Sequence, residues 1–361
     1  MPHHVKGIRF YIFVLLALVF LAGKSALANN SVQYSNLGDF QLDNGSVIRD
    51  CRLAYLTAGT LNAKKSNIVL VPTWLAGTSK ELCNLGFIGP GKLFDSSKYF
   101  IIVVDSFGNG VSSSPSNSQN QPGKDFPQFS IHDMVRAQHL LLTEKLNIRH
   151  VYAVVGISMG SMQVFEWMVS YPAFMNRCVP ILGGPWTTSH EMLFWSAQLG
   201  IIANIAECKG SLTAMRALTP LHVMQVWTRD YRTTNTSPSN FSAFLANEQE
   251  KFSLYDAANW ASQVRAIMNH DILKNFGGSR VKAAEAVRAK CLVIASEQDQ
   301  LTSMKEAKTF ACLIHAEILE LKGPCGHFAF FCDHENLKKQ VHSFLSRNFS
   351  ASLKFKGKGN I

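Results

Sequence analysis

The sequence predicts an α/β fold with a mostly parallel central sheet, an N-terminal hairpin and an inserted helical cap. Three observations predict it. Short apolar runs recur between residues 67 and 321, each continuous in apolarity, the pattern of strands buried on both faces. Segments with apolar residues at helical spacing separate them, as crossovers between parallel strands require. Between about Trp186 and Val287 this alternation stops and the chain reads as helix, with no clear strand.

The elements follow in chain order. His3-His4-Val5-Lys6-Gly7-Ile8-Arg9 is basic, FYIFVLLALVFLA (10–22) is apolar, and Ala26-Leu27-Ala28 offers small residues for cleavage. That layout predicts a signal peptide over residues 1–28 and an exported protein, periplasmic or secreted. The apolar run is short for a bilayer crossing, so no stable membrane span is expected once the leader is removed. LGDFQLDNGSVIRDCRLAYLTAG (37–59) reads as two strands around Asn44-Gly45, a pair that favours a tight hairpin turn. Strands are then expected at 67–72, 99–105, 151–155, 177–182, 290–296 and 316–321. Helices are expected at 131–146, 159–171, 303–314 and 335–349. The α/β core therefore takes 29–186 and 287–349, the helical cap takes 187–286, and 350–361 is a basic tail. A cap inserted at that point covers the sheet's C-terminal edge, where open α/β sheets bind ligands.

Composition narrows the function. The chain has 361 residues, 47% hydrophobic and 17% charged, enough for a large core and no case for disorder. Its formal charge of +10 is concentrated at the ends: Lys6, Arg9 and Lys24 lie in the leader, and Lys354, Lys356 and Lys358 in the tail. The rest forms no basic stripe, so nucleic acid is not an expected partner. Eight cysteines (51, 83, 178, 208, 291, 312, 325 and 332) permit disulfides after export. Cys325 and Cys332 are one candidate pair, while Cys178 and Cys291 open apolar runs and read as buried thiols. No Cys-x-x-Cys pair or Cys/His cluster suggests a metal, and a homodimer is left open.

VYAVVGISMGSMQVFEWMVSYP (151–172) carries the chemistry. An apolar strand runs into Gly156-Ile157-Ser158-Met159-Gly160, and a helix follows until Pro172. A sharp strand-turn-helix lifts a serine hydroxyl above the sheet, and the glycines leave room for the backbone crossing. It also sets the Met159 N–H at a helix N-terminus, where a developing oxyanion is stabilised. The alternative is a serine that caps the helix. A nucleophilic serine needs a base, and the base an orienting acid. Asp299 follows the strand at 290–296 and is the chosen acid, with Glu297 the runner-up. His327, in KGPCGHFAFF (322–331) after the last strand, is the base. The loop in VLVPTWLAGTS (69–79) should supply the second oxyanion donor, from the N–H of Leu75 or of its neighbour Trp74.

With these residues placed, the chain resembles the α/β-hydrolase superfamily, and within it the homoserine O-acetyltransferase-like branch. The matching stretches are GFIGPGKLFDSSKYFIIVVDS (86–106), DFPQFSIHDMVRAQHLLL (125–142), GISMGSMQVFEWMVSYP (156–172), YDAANW (255–260), DQL (299–301) and GHFAF (326–330). The resemblance implies acyl transfer through an acyl-enzyme, with a triad of Ser158, Asp299 and His327, oxyanion donors Leu75 and Met159, and no cofactor. The sequence departs from the branch at Ile157 and Ser161, where glycines are usual. It departs again at Leu199, where an arginine holds the amino-acid carboxylate, and at Phe328, where an acid helps to hold homoserine. Trp74, Leu199 and Phe328 are accordingly taken as substrate-binding residues of an apolar pocket, with Trp186 and Phe194 nearby in sequence. Arg229, Arg232 and Arg265 are the other cap residues that could supply charge. The expected function is an exported serine hydrolase acting on a small-molecule ester, thioester or acyl donor. The alternatives are an acyltransferase of the branch's usual kind and a non-catalytic binding protein of the same fold.

Overall fold

The computed structural model describes residues 31–347. The expected leader and basic tail lie outside the described residues. Eight strands form one sheet: β1 (Gln33–Gln41), β2 (Val47–Ala58), β3 (Ile68–Pro72), β4 (Phe100–Val104), β5 (Val151–Ile157), β6 (Met175–Ile181), β7 (Lys290–Ser296) and β8 (Glu317–Leu321). Their order is β1-β2-β4-β3-β5-β6-β7-β8. From β4 to β8 all neighbours are parallel, while β1, β2 and β4 pair antiparallel. The hairpin turns at Asn44-Gly45, where Gly45 takes φ +84° and Asn44 Oδ1 accepts the Ser46 N–H at 3.0 Å. Every residue of β3 is buried, as its unbroken apolar run requires. The edge strand β8 differs: Glu317 and Glu320 are exposed there and pair with Arg347 and Lys308, charges that discourage a further strand from adding on.

Three core helices come before β6 in the chain: α1 (Ser79–Asn84), α2 (Ile131–Leu140) and α3 (Met159–Ser170). The expected helix at 131–146 is α2 followed by a π-helical turn over Leu141–Lys145. α3 is buried almost throughout, between sheet and solvent-facing helices, which explains why it carries Val164, Phe165, Trp167 and Met168 without a polar face. Between β6 and β7 lie α4 (Ser189–Lys209), α5 (Ser211–Val226), α6 (Arg229–Asn235), α7 (Phe241–Phe252), α8 (Ala257–Met268) and α9 (Arg280–Ala286). α5 carries Pro220 inside it. Proline cannot donate to the carbonyl four residues back, and the Arg216 carbonyl instead accepts from Gln249 Nε2 of α7 at 3.1 Å. α10 (Met304–Leu313), α11 (Ala329–Cys332) and α12 (His334–Ser346) are the last helices of the described residues. Cys325 and Cys332 form a disulfide around the short turn at Gly326–Phe328. Cys178 and Cys291 are buried free thiols on adjacent strands.

Candidate active site

The turn between β5 and α3 forces Ser158 to φ +57° and ψ −120°. A non-glycine residue held there stores strain of about 1–3 kcal/mol, which the surrounding packing must impose. The flanking glycines show how it is imposed. A Cβ on Gly156 would lie 2.3 Å from the Gly160 carbonyl oxygen, and one on Gly160 would lie 2.5 Å from that of Pro72. Backbone therefore meets backbone on both sides of the serine. Its hydroxyl makes no helix-capping bond, so the capping alternative fails.

The hydroxyl faces His327 instead, with Ser158 Oγ 2.9 Å from Nε2. His327 Nδ1 lies 2.8 Å from Asp299 Oδ2. The Asp299 side chain is sealed from water and takes further bonds from Leu301 N (2.8 Å), Thr302 N (3.0 Å) and Thr302 Oγ1 (2.6 Å). Glu297, the runner-up acid, is exposed and makes no hydrogen bond to His327 among the described residues. A carboxylate at Nδ1 fixes the tautomer that leaves Nε2 free to accept the serine proton.

The oxyanion expectation fits the backbone. In the loop after β3, Thr73 N–H goes to Val104 O, Ala76 N–H to Gln263 Oε1 at 2.7 Å, and Gly77 N–H to Trp74 O. Trp74 and Leu75 keep N–H groups with no acceptor among the described residues, and both line the cavity at Ser158. Met159, the first residue of α3, has no intrahelical acceptor for its N–H. Gln263 also donates to Phe107 O at 2.7 Å, so one α8 side chain pins this loop. The sequence reading missed it, and no local pattern marks it.

The cavity holds about 600 Å³ and is walled by Trp74, Leu75, Met162, Trp195, Trp260 and Phe328 among others. Phe328 packs on Trp227, Phe330 and Phe331. Leu199 is a correction. It packs against the hydrophobic core rather than the cavity, one turn beyond Trp195, which does line it. Phe194 lies behind that wall against Trp195, and Trp186 bonds to Glu306 away from the site. Of the three cap arginines, Arg232 lines the cavity together with Glu81, Glu248 and Lys251, while Arg229 and Arg265 point to solvent. His222 of α5 also lines it; burial, and then the charge of His327, hold its imidazole down to about 3. Residues around α5 tie the triad loops in place. Gln225 donates to the Gln300 carbonyl beside Asp299, and Thr228 to the Pro324 carbonyl beside His327.

A sequence model described as alpha/beta hydrolase fold matches residues 67–333. The chain belongs to the α/β-hydrolase fold family. Within this family it is 32% identical to an ethyl acetate hydrolase of Pseudomonas veronii over 332 residues, covering 88% of this chain and 95% of that one. A homoserine O-acetyltransferase of Methanosphaera stadtmanae is 28% identical, over 90% of this chain and 75% of the other. Among solved structures, an acetylester hydrolase from Corynebacterium glutamicum superposes with a TM-score of 0.80 at 29% identity, covering 87% and 95%. This α/β-hydrolase is thus an enzyme of the homoserine O-acetyltransferase-like branch, a group whose members cleave esters or transfer acyl groups.

Proposed function

We propose that the protein is an exported serine esterase that passes the acyl group of a small ester to water through an acyl-enzyme on Ser158. His327 takes the serine proton as Ser158 attacks the carbonyl, Asp299 orients the imidazole, and the Met159 and Leu75 N–H groups receive the oxyanion. His327 then returns the proton to the departing alcohol and activates the water that releases the acid. Helices 187–286 act as the cap over this step.

The observation that carries hydrolysis over transfer to homoserine is Phe328. It stands beside His327 in an aromatic cluster with Trp227, Phe330 and Phe331. The resemblance expects an acid at this position to help hold homoserine; Phe328 offers no carboxylate, and its rings favour an apolar acyl or alcohol group. Arg232 and Glu248 in the same lining favour the second reading, transfer to an amino-acid alcohol. Export is supported by the layout of residues 1–28 and by the Cys325–Cys332 disulfide.

The test is steady-state kinetics on the purified protein, with ethyl acetate in water beside acetyl-CoA and homoserine. Ester hydrolysis should dominate. Formation of O-acetylhomoserine faster than hydrolysis would establish the transferase reading instead. N-terminal sequencing of the protein recovered from its producing cell tests cleavage near Asn29.

A further inference from the structure

His222 is buried in the cavity wall, ringed by Trp195, Phe252 and Trp260. It is outside the triad, and the chemistry proposed above does not use it. Its hydrogen-bond state follows from its neighbours. An indole N–H can only donate, and Trp260 Nε1 donates to Gln198 Oε1 at 2.9 Å. This fixes the Gln198 amide, so its Nε2, an obligate donor, is the atom 3.1 Å from His222 Nδ1. Nδ1 is therefore an acceptor, and in a neutral imidazole the proton then sits on Nε2. Among the described residues no group bonds to Nε2. Nor is it among the side-chain atoms sealed off without a partner, so it opens on the cavity. The other strongly polar lining residues outside the triad, Glu81, Arg232, Asn235, Glu248 and Lys251, are half-buried or exposed.

We propose that the His222 Nε2–H is a specificity-determining donor that reads an acceptor oxygen on the substrate beyond the ester group itself. The substrates favoured are esters whose acyl or alcohol part carries an ether, hydroxyl or second carbonyl oxygen. A buried donor discriminates against a substrate that leaves it unpaired. The relay Trp260–Gln198–His222 keeps the proton on the nitrogen that faces the cavity, and the aromatic ring of neighbours keeps the imidazole neutral, so the donor does not become a fixed charge.

This inference rests on the esterase reading, and the experiment separates the two. Labelling of Ser158 by a fluorophosphonate and hydrolysis of butyl acetate by the wild type test the esterase reading; failure of both overturns it and this inference with it. Two isosteric pairs then locate the oxygen: 2-methoxyethyl acetate against butyl acetate for the alcohol side, and ethyl methoxyacetate against ethyl butyrate for the acyl side. The ratio of kcat/KM within each pair is compared between wild type and His222→Phe, which cancels intrinsic reactivity. On one of the two pairs the oxygen preference should fall by roughly three- to tenfold. Gln198→Met releases the tautomer without touching His222 and should move the same ratio in the same direction, by less. Where His222→Phe fails to fold, Gln198→Met carries the test. Unchanged ratios on both pairs, in a protein still labelled at Ser158, would overturn the assignment.

Discussion

Asp299→Asn isolates the one interaction that decides whether His327 acts as a base. Asp299 Oδ1 accepts two backbone N–H groups, from Leu301 and Thr302. An asparagine in its place must set its carbonyl oxygen there, because an NH2 would face two donors. The amide NH2 then takes the Oδ2 position, opposite Thr302 Oγ1 and His327 Nδ1. The hydroxyl can turn to accept, but the imidazole can accept only by moving its proton to Nε2. That nitrogen then donates toward Ser158 Oγ, 2.9 Å away, and no longer takes the serine proton. The fold is kept, since each contact keeps its distance and only donor and acceptor are exchanged. The same exchange in another serine hydrolase lowers kcat about four powers of ten, and a fall of roughly 10³–10⁴ in kcat/KM is expected here. The assay is p-nitrophenyl acetate hydrolysis beside the rate of fluorophosphonate labelling, with the thermal midpoint as a fold control. Glu297→Gln, on an exposed side chain, should stay within about twofold. A folded Asp299→Asn enzyme within tenfold of wild type, or a larger loss in Glu297→Gln, would refute the assignment of the acid.

Three further outcomes are expected. Ser158→Ala should abolish turnover without lowering the thermal midpoint, since the hydroxyl caps nothing, and Ser158→Gly should raise the midpoint by relieving the positive φ; a Gly variant less stable than the Ala variant would contradict the strain. Breaking the Cys325–Cys332 disulfide by the double change Cys325→Ser and Cys332→Ser should lower kcat more than it lowers stability, because the short closed loop constrains mainly the His327 turn; an unchanged kcat argues that the turn holds itself. His270, buried under Gly184 and pushed down to about 3 by that burial, stays neutral in the fold while the unfolded chain takes up a proton below about 6.5. Its contribution to stability is present above that pH and is lost as the pH falls toward 3, at about 1.4 kcal/mol per pH unit. In urea titrations at pH 6 and pH 5, His270→Gln should lose that much of the wild-type slope, and identical slopes would sink the account.

The triad was legible because each member is specified locally. Ser158 sits where an apolar run meets two glycines that packing demands, and Asp299 and His327 each follow their own strand in the order the fold imposes. Trp74, Leu75 and Met159, expected as loop and helix-start positions at the sheet's C-terminal edge, line the cavity at Ser158. Leu199 was misplaced because it was carried over from the resemblance, and matching a stretch of sequence does not fix the turn of a helix at which a cavity ends. Trp195, one turn earlier on α4, reaches the site, whereas Leu199 is already past it. His222, Gln198 and Trp260 come from three different helices, and Gln263 meets Ala76 across 187 positions of sequence. Such contacts depend on how helices dock, which no short pattern records. This division has a mechanical consequence. The helices that shape the cavity also hold the catalytic loops: Gln225 on the Asp299 side, Thr228 on the His327 side, and Gln263 on the Leu75 loop. Changes that repack α5 or α8 to alter specificity will therefore shift the triad or the Leu75 loop as well, and should show up in kcat as well as in KM.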